Sequence, residues 1–151
     1  MEPGEGGHYG AAIYFWLNNL RAAVWWAKDH CGYGEHYGVI EAALDCKRTL
    51  HVEQVWEDDM LRKAVKKTWG DDAVPDDFTS RHWKSKAVGI VIKICQLFDI
   101  EIDSVHYTRE GVGPFVHPVS AVALYDSSLI SEIRLVRRED IPPSWEEYGD
   151  E

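Results

Sequence analysis

Cysteine, long apolar runs and positive charge are all scarce in this 151-residue chain, and each scarcity excludes a class of protein. The three cysteines are odd in number and widely spaced, which argues against a disulfide framework and favours a reducing compartment. No apolar run approaches the roughly twenty residues that a membrane helix needs. The 16 Lys and Arg stand against 26 Asp and Glu, a net charge of -10. We therefore expect a cytoplasmic protein that binds neither membranes nor nucleic-acid phosphates.

Aromatic residues, by contrast, are abundant, with seven Trp, seven Tyr and four Phe. Such side chains fill cores and also form surfaces for flat ligands or partner proteins. The chain length fits a single domain over residues 1–151. Residues 1–8 are acidic and glycine-rich, the reverse of a signal peptide, and predict a loose lead-in. Residues 138–151 are charged, proline-broken and acidic, and predict a tail for which Trp145 is the candidate anchor.

The spacing of apolar residues predicts an α+β fold, because helices and strands do not alternate evenly along the chain. Helices are expected after Asn19, a good N-cap, and over residues 57–69 and 81–98. The last of these carries an apolar face that ends at Phe98. Strands are expected over residues 13–15, 36–44, 50–52, 104–108, 120–125 and 132–136. Residues 50–52 are expected to continue the sheet of 36–44. Residues 132–136 are expected to form an edge strand whose side chains alternate between a buried and an exposed face.

The most informative stretch runs from Tyr9 to Ala27 and reads YGAAIYFWLNNLRAAVWWA. It consists of a glycine turn, a short apolar strand, an Asn-Asn break and a helix that presents two tryptophans. Two aromatic faces at such a corner can grip a flat ring. The segment resembles the ADP-ribosyltransferase family, in which a strand tyrosine and an aromatic residue on the next helix sandwich the nicotinamide of NAD. Tyr14 and Trp25 occupy those positions, and Ala12 stands where the family usually has its second glycine.

A second segment, residues 121–130, resembles the closing strand of the same family. It ends in Tyr125 and Asp126, and a short turn then leads to Ile130. The resemblance implies an ADP-ribosyltransferase-like fold, with a split mixed or antiparallel sheet and about three helices. It also implies NAD as a substrate and a protein as the target that is modified. The cofactor contacts that it implies are His8, Gly10, Tyr14, Phe15 and Trp25.

The chain departs from the family at the residue that would stabilise the reaction. Positive charge develops on the ribose as the nicotinamide leaves, so a nearby carboxylate is needed. The family begins the closing strand with a glutamate, and this chain has Ala121 there. Glu110 is the first candidate to replace it, because a glycine-rich loop follows, while Asp103 and Glu41 are alternatives. The front strand that binds the ribose in the family has only His8 as a substitute.

The sequence therefore leaves two functions open. One is an NAD-dependent ADP-ribosyltransferase that modifies a protein, as small stand-alone toxins and phage counter-defence (anti-CRISPR-like) proteins do; the spacing of Tyr14 and Trp25 favours it. The other is a catalytically inactive protein of this fold, acidic and aromatic-rich, that inhibits a partner by direct contact. Ala121 and the missing front strand favour this second function. No metal site is expected, since the potential ligands within residues 30–36 match no standard zinc spacing.

Overall fold

A computed structural model describes Tyr9 and residues 11–53, 63, 66–67, 81–142 and 145, of which 81–87 are described by their backbone alone. The architecture is α+β, as the sequence predicts. Its elements are β1 (Ile13–Trp16), α1 (Leu20–Trp25) with a π-helical turn (Trp26–His30), β2 (Ile40–Leu44), β3 (Thr49–His51), α2 (Arg81–Leu97), β4 (Ser104–Arg109), β5 (Val119–Leu124), a 3-10 turn (Ser127–Leu129), β6 (Ile130–Leu135) and a second 3-10 turn (Arg138–Asp140). The helix predicted over 57–69 lies outside the described residues, except that 63, 66 and 67 are helical.

The strands form one mixed sheet and one antiparallel sheet. The mixed sheet has the order β1-β5-β4-β3, and β3 runs parallel to β4. The second sheet is the antiparallel pair β2-β6. The prediction that residues 50–52 continue the sheet of 36–44 is therefore wrong, because β3 takes its hydrogen bonds from β4 and not from the sheet of β2.

The chain forms two compact units, each assembled from three stretches. Unit 1 comprises Met1–Tyr14, Cys46–Tyr107 and Ala123–Ser127, and unit 2 comprises Phe15–Asp45, Thr108–Val122 and Ser128–Glu151. The buried apolar side chains of unit 1 include Val52, Val88, Val91, Val105 and Leu124. Those of unit 2 form two clusters, one of Ala22, Val112 and Val119 and the other of Val24, Val39 and Ile141. Trp145 packs against the second cluster, so the start of the predicted tail contributes to the core of unit 2.

The strand-turn-helix corner forms where the sequence predicts it. Asn18 adopts a left-handed backbone with φ of 49°, which Asn tolerates better than most residues, and so turns the chain out of β1. The side chain of Asn19 then accepts a hydrogen bond from the backbone N–H of Ala22 at 3.0 Å, confirming it as the N-cap of α1. The turn after α1 ends at Gly32, whose φ of +71° is left-handed.

The strand predicted over residues 36–44 begins only at Ile40. Next to the part that is not a strand, the guanidinium of Arg138 donates hydrogen bonds to the carbonyl oxygens of Glu35 at 2.8 Å and Tyr37 at 3.5 Å. The same guanidinium lies 3.9 Å from the centroid of the Tyr37 ring. These backbone carbonyls are thus satisfied by a side chain and not by a neighbouring strand.

The alternation predicted for residues 132–136 is also wrong. Every residue of β6 after Ile130 is exposed, so this strand has no buried face. The strand also contains a bulge, since β2 and β6 lose register between Glu41 and Ala43 on one strand and between Ser131 and Arg134 on the other. Glu132 lies within the bulge in a left-handed conformation, with φ of 51°.

The long predicted helix is confirmed as α2, but Phe98, expected to be the last residue of its apolar face, lies outside the helix. The helix ends at Leu97, and Phe98, the residue after it, is 74% exposed. The N–H of Ile100 donates to the carbonyl of Cys95 at 2.9 Å, and the N–H of Asp99 to that of Gln96 at 3.1 Å. This pair of bonds is a Schellman motif, and Asp99 occupies its left-handed position with φ of 56°.

Candidate functional site

A cluster of tryptophans stands at the corner between β1 and α1, within unit 2. The ring of Trp26 meets the rings of Trp16 and Trp25 edge to face, at centroid distances of 5.5 Å and 6.2 Å. His30 stacks on Trp26 with the ring centroids 3.7 Å apart. The two residues are four apart and lie in the π-helical turn, in which the N–H of Cys31 donates to the carbonyl of Trp26 at 2.8 Å. Such turns are frequent at functional sites.

The segment around Glu110 contacts this cluster through one residue before the glutamate and one residue after it. On one side, the guanidinium carbon of Arg109 lies 4.5 Å from the centroid of the Trp26 ring. On the other side, Gly113 lies so close to Trp25 that a Cβ atom there would be 2.6 Å from the indole. Glu110 itself is exposed at the end of β4. Trp25 and Glu110, which the sequence proposes as ring clamp and carboxylate, therefore belong to neighbouring elements of one unit.

Trp25 and Trp26 have different surroundings although they are adjacent. Trp25 packs against the buried cluster formed by Ala22, Val112 and Val119. Besides Trp16 and Trp25, Trp26 contacts the ring of His30 and the guanidinium of Arg109, and Trp25 lies 6.0 Å from His30. Both tryptophans are half-buried. The surface thus combines aromatic faces, a guanidinium and a carboxylate, which suit a flat ring, a phosphate and a developing positive charge respectively.

Tyr14 belongs to a group of tyrosines in unit 1. Its hydroxyl accepts a hydrogen bond from the backbone N–H of Tyr9 at 3.0 Å, and the hydroxyl of Tyr125 donates to the carbonyl of Tyr9 at 2.7 Å. The ring of Tyr9 lies 4.7 Å from that of Tyr107. Burial raises the pKa of Tyr14, although the bond from Tyr9 lowers it, and burial together with the nearby Tyr14 raises the pKa of Tyr125 to about 12. Tyr14 is half-buried, and its pairing with Trp25 across a nicotinamide stays a prediction.

The other two candidate carboxylates already have defined structural contacts. Glu41 accepts two hydrogen bonds from the guanidinium of Arg134, at 3.1 Å and 3.0 Å, and this contact lowers the pKa of its carboxyl. Asp103 accepts hydrogen bonds from the backbone N–H groups of Lys47 and Arg48 at 2.8 Å and 3.0 Å. Ala121, at the position of the family's glutamate, is only 2% exposed. These contacts leave Glu110 as the candidate next to the aromatic cluster.

An open cavity of about 590 Å³ lies within unit 2, between the β1–α1 corner and β2. This volume is in the range of small-molecule sites. Phe15, which the resemblance assigns to the cofactor, lines it together with Asn18, Ala23 and Glu41. Glu41 is bound to Arg134 there, so the cavity already contains a compensated charge.

Two of the predicted cofactor contacts, His8 and Gly10, lie outside the described residues. Within the described part of the chain, no three His, Cys, Asp or Glu side chains lie close enough to share a metal ion. None of the helices described is both long enough and apolar enough to cross a membrane. His51 and His106 are register partners on β3 and β4, with ring centroids 5.2 Å apart.

No protein-family model, curated protein or solved structure matches this chain. The site is therefore described by its own chemistry. Sequence reasoning missed two of its members, Arg109 and His30. The Trp-x-x-x-His spacing of residues 26–30 is a local signal for the stacked pair, whereas the contact of Arg109 with Trp26 joins distant parts of the sequence and has no local signal.

Proposed function

We propose that the chain is an NAD-dependent ADP-ribosyltransferase-like protein whose reaction site is the tryptophan cluster with Arg109 and Glu110. The observation that carries the proposal is the contact of both flanks of Glu110 with the two indoles, Arg109 on Trp26 and Gly113 on Trp25. Because of these contacts, the loop that contains the exposed carboxylate of Glu110 lies against the aromatic surface. This is the pairing of groups that cleavage of a nicotinamide–ribose bond requires.

Each group has a role that matches part of NAD. The nicotinamide ring carries positive charge, so the electron-rich face of an indole attracts it, and Trp25 is the residue that the resemblance assigns to this contact. The guanidinium of Arg109 suits the pyrophosphate, because it offers several N–H donors in a planar fork. The carboxylate of Glu110 lies beside Arg109 in the sequence and supplies negative charge for the ribose.

The reaction breaks the bond between ribose C1′ and the nicotinamide nitrogen. The bonding electrons leave with nicotinamide, which departs as a neutral molecule, and the ribose takes on oxocarbenium character. Glu110 stabilises that positive charge. A nucleophilic side chain of the target protein then bonds to C1′ and loses its proton, which completes the transfer.

The test is to incubate the protein with NAD and to measure free nicotinamide together with the shift in Tm that NAD causes. Glu110→Gln keeps the shape of the side chain and removes its charge, so we expect it to retain the Tm shift and lose nicotinamide release. Arg109→Gln is expected to lose both, because the pyrophosphate contact is absent. Glu41→Gln is the matched control, since it removes a carboxylate at the cavity, and it should behave as the parent protein does.

Two results would contradict the proposal. One is nicotinamide release that survives Glu110→Gln but is lost in Glu41→Gln, which would move the chemistry to the cavity. The other is the absence of both release and Tm shift in the parent protein.

A second function is favoured by one specific observation, the burial of Ala121. This side chain is only 2% exposed, and an alanine supplies no carboxylate at the position where the resemblance expects one. We therefore also propose, as the second candidate, a non-catalytic acidic protein that inhibits a partner by contact. In that case NAD has no effect, and inhibition weakens with added salt because the attraction between opposite charges is screened.

A further inference from the structure

The end of α2 in unit 1 exposes large apolar side chains that the core does not use. Leu97 is 83% exposed, Phe98 is 74% exposed and Ile100 is 40% exposed. These three residues lie within four positions of one another, and two of them rank among the most exposed large apolar side chains of the described chain. Single exposed apolar residues are ordinary, but several together indicate an interaction surface.

The backbone at this surface is held in place by the Schellman motif. The bonds from Ile100 to Cys95 and from Asp99 to Gln96 stop the helix and direct the chain away from it. Glycine is the usual residue at the left-handed position of this motif, and here the position holds an exposed aspartate with φ of 56°. The negative charge also lies at the helix C-terminus, where the helix dipole disfavours it. The aspartate is thus unfavourable for the helix, and it places a carboxylate between two apolar side chains.

The charge next to the apolar side chains is mainly acidic, with the exposed Lys93 as a basic neighbour one helical turn before Leu97. Asp99 and Glu101 are both exposed and alternate with Phe98 and Ile100. The sequence from residue 94 to residue 108 contains three acidic residues and neither Lys nor Arg. An apolar surface with interleaved carboxylates is complementary to a segment that is apolar on one face and basic on the other.

We infer that Leu97, Phe98 and Ile100, with Asp99 and Glu101, form a docking surface for a basic amphipathic segment of a partner protein. The charge decides among the possible occupants. Anionic lipids and nucleic acids are repelled by the carboxylates, and a second copy of this chain brings a net charge of -10 against another -10. A basic partner gains both the apolar contact and the electrostatic attraction. This inference holds whether or not the chain cleaves NAD, because its residues are not part of the proposed reaction site.

The experiment uses the full chain and a synthetic helical peptide with lysines on one face and leucines on the other. Its affinity is measured by fluorescence anisotropy at low and high salt. We expect Phe98→Gln to weaken binding about tenfold or more, because the apolar contact is lost at its centre. Asp99→Asn together with Glu101→Gln is expected to weaken binding several-fold and to reduce its dependence on salt. Asn tolerates the left-handed backbone, so this variant removes charge without added strain.

Val116→Gln is the matched control, because Val116 is 93% exposed and lies in unit 2. It should leave the affinity unchanged. A peptide with glutamates in place of the lysines should not bind. The inference is overturned if the peptide does not bind at a concentration of about 1 mM, or if the Phe98→Gln and Val116→Gln variants bind it equally well. It is also overturned if binding to anionic vesicles, or self-association of the chain, depends on Phe98 more strongly than binding of the peptide does. The NAD-induced Tm shift, measured in parallel on Phe98→Gln, reports separately on the proposed reaction site.

Discussion

Gly113 and Trp25 are in such close contact that no side chain fits between them: a Cβ atom on Gly113 would lie 2.6 Å from the indole. The loop after β4 and the helix after β1 are therefore packed against each other at the contact between Gly113 and Trp25. Gly113 also has φ of +46°, a left-handed conformation that favours glycine for a second reason. Contact and conformation together explain why this position holds a glycine.

Gly113→Ala is expected to destabilise the protein by more than backbone strain alone. The left-handed conformation costs an alanine about 1–2 kcal/mol. Displacing the indole of Trp25 adds about 1–3 kcal/mol. Gly111→Ala is the matched control, because Gly111 has φ of +70° and a Cβ atom there would meet no heavy atom of the described residues within 4 Å. Urea denaturation of both variants measures the difference, and equal losses of stability would show that the contact with Trp25 contributes nothing.

Glu132→Gly is expected to stabilise the protein, although it removes a side chain. Glu132 holds a left-handed φ of 51° within the bulge of β6, and glycine adopts this conformation without the clash of a Cβ atom. The gain is about 0.5–1 kcal/mol, because glycine also increases the entropy of the unfolded chain and so offsets part of the relief. Asn18→Gly, at φ of 49°, serves as the control with a smaller gain, since Asn already tolerates this conformation. A loss of stability in Glu132→Gly would contradict the account of the bulge.

Stability is expected to fall in alkaline solution because of Tyr125. Its pKa is about 12 in the folded protein and about 10 in the unfolded chain. Below pH 10 both states keep the proton, and the full stability is present. Between pH 10 and pH 12 only the unfolded state loses the proton, so stability declines, by about 1 kcal/mol once partial exposure of the ring is taken into account.

Tyr125→Phe checks this pH dependence. At pH 8 the variant should be less stable by about 1 kcal/mol, because the hydrogen bond of 2.7 Å to the carbonyl of Tyr9 is lost. Above pH 10 the gap between the variant and the parent protein should narrow, since phenylalanine has no proton to lose. Denaturation curves at pH 8 and pH 11 measure both effects, and a gap that stays constant would contradict the assignment.

Asp103→Ala is expected to destabilise unit 1 by about 1–3 kcal/mol. The carboxylate accepts hydrogen bonds from the N–H groups of Lys47 and Arg48 and from the hydroxyl of Ser104 at 2.8 Å, so its removal leaves three donors without this acceptor. Glu101→Ala, two residues earlier and exposed, should change stability by less than about 0.5 kcal/mol. Similar losses in both variants, measured by urea denaturation, would show that Asp103 has no special role in this turn.

Part of the candidate site was open to prediction from the sequence, and particular residues show why the rest was not. Asn19 is predictable as an N-cap because the group that it binds, the N–H of Ala22, is three residues away. The glycine-rich loop after Glu110 makes this residue a candidate in the sequence. Its placement beside the tryptophans depends on the contacts of Arg109 and Gly113, which join segments far apart in the chain. The contacts of Arg138 with the carbonyls of Glu35 and Tyr37, next to the shortened strand, likewise join segments far apart in the sequence.

The sequence alone predicts the α+β composition, the corner at residues 13–25 and the long helix that begins at Arg81. Caps, turn residues and apolar spacing specify these elements through contacts between near neighbours, so a short segment of sequence is enough to predict each of them. The folded protein is needed to show that β3 pairs with β4, that β6 has no buried face, and that Arg109 lies over Trp26. Such contacts depend on which distant segments pack together, and many arrangements of the same local elements compete for them.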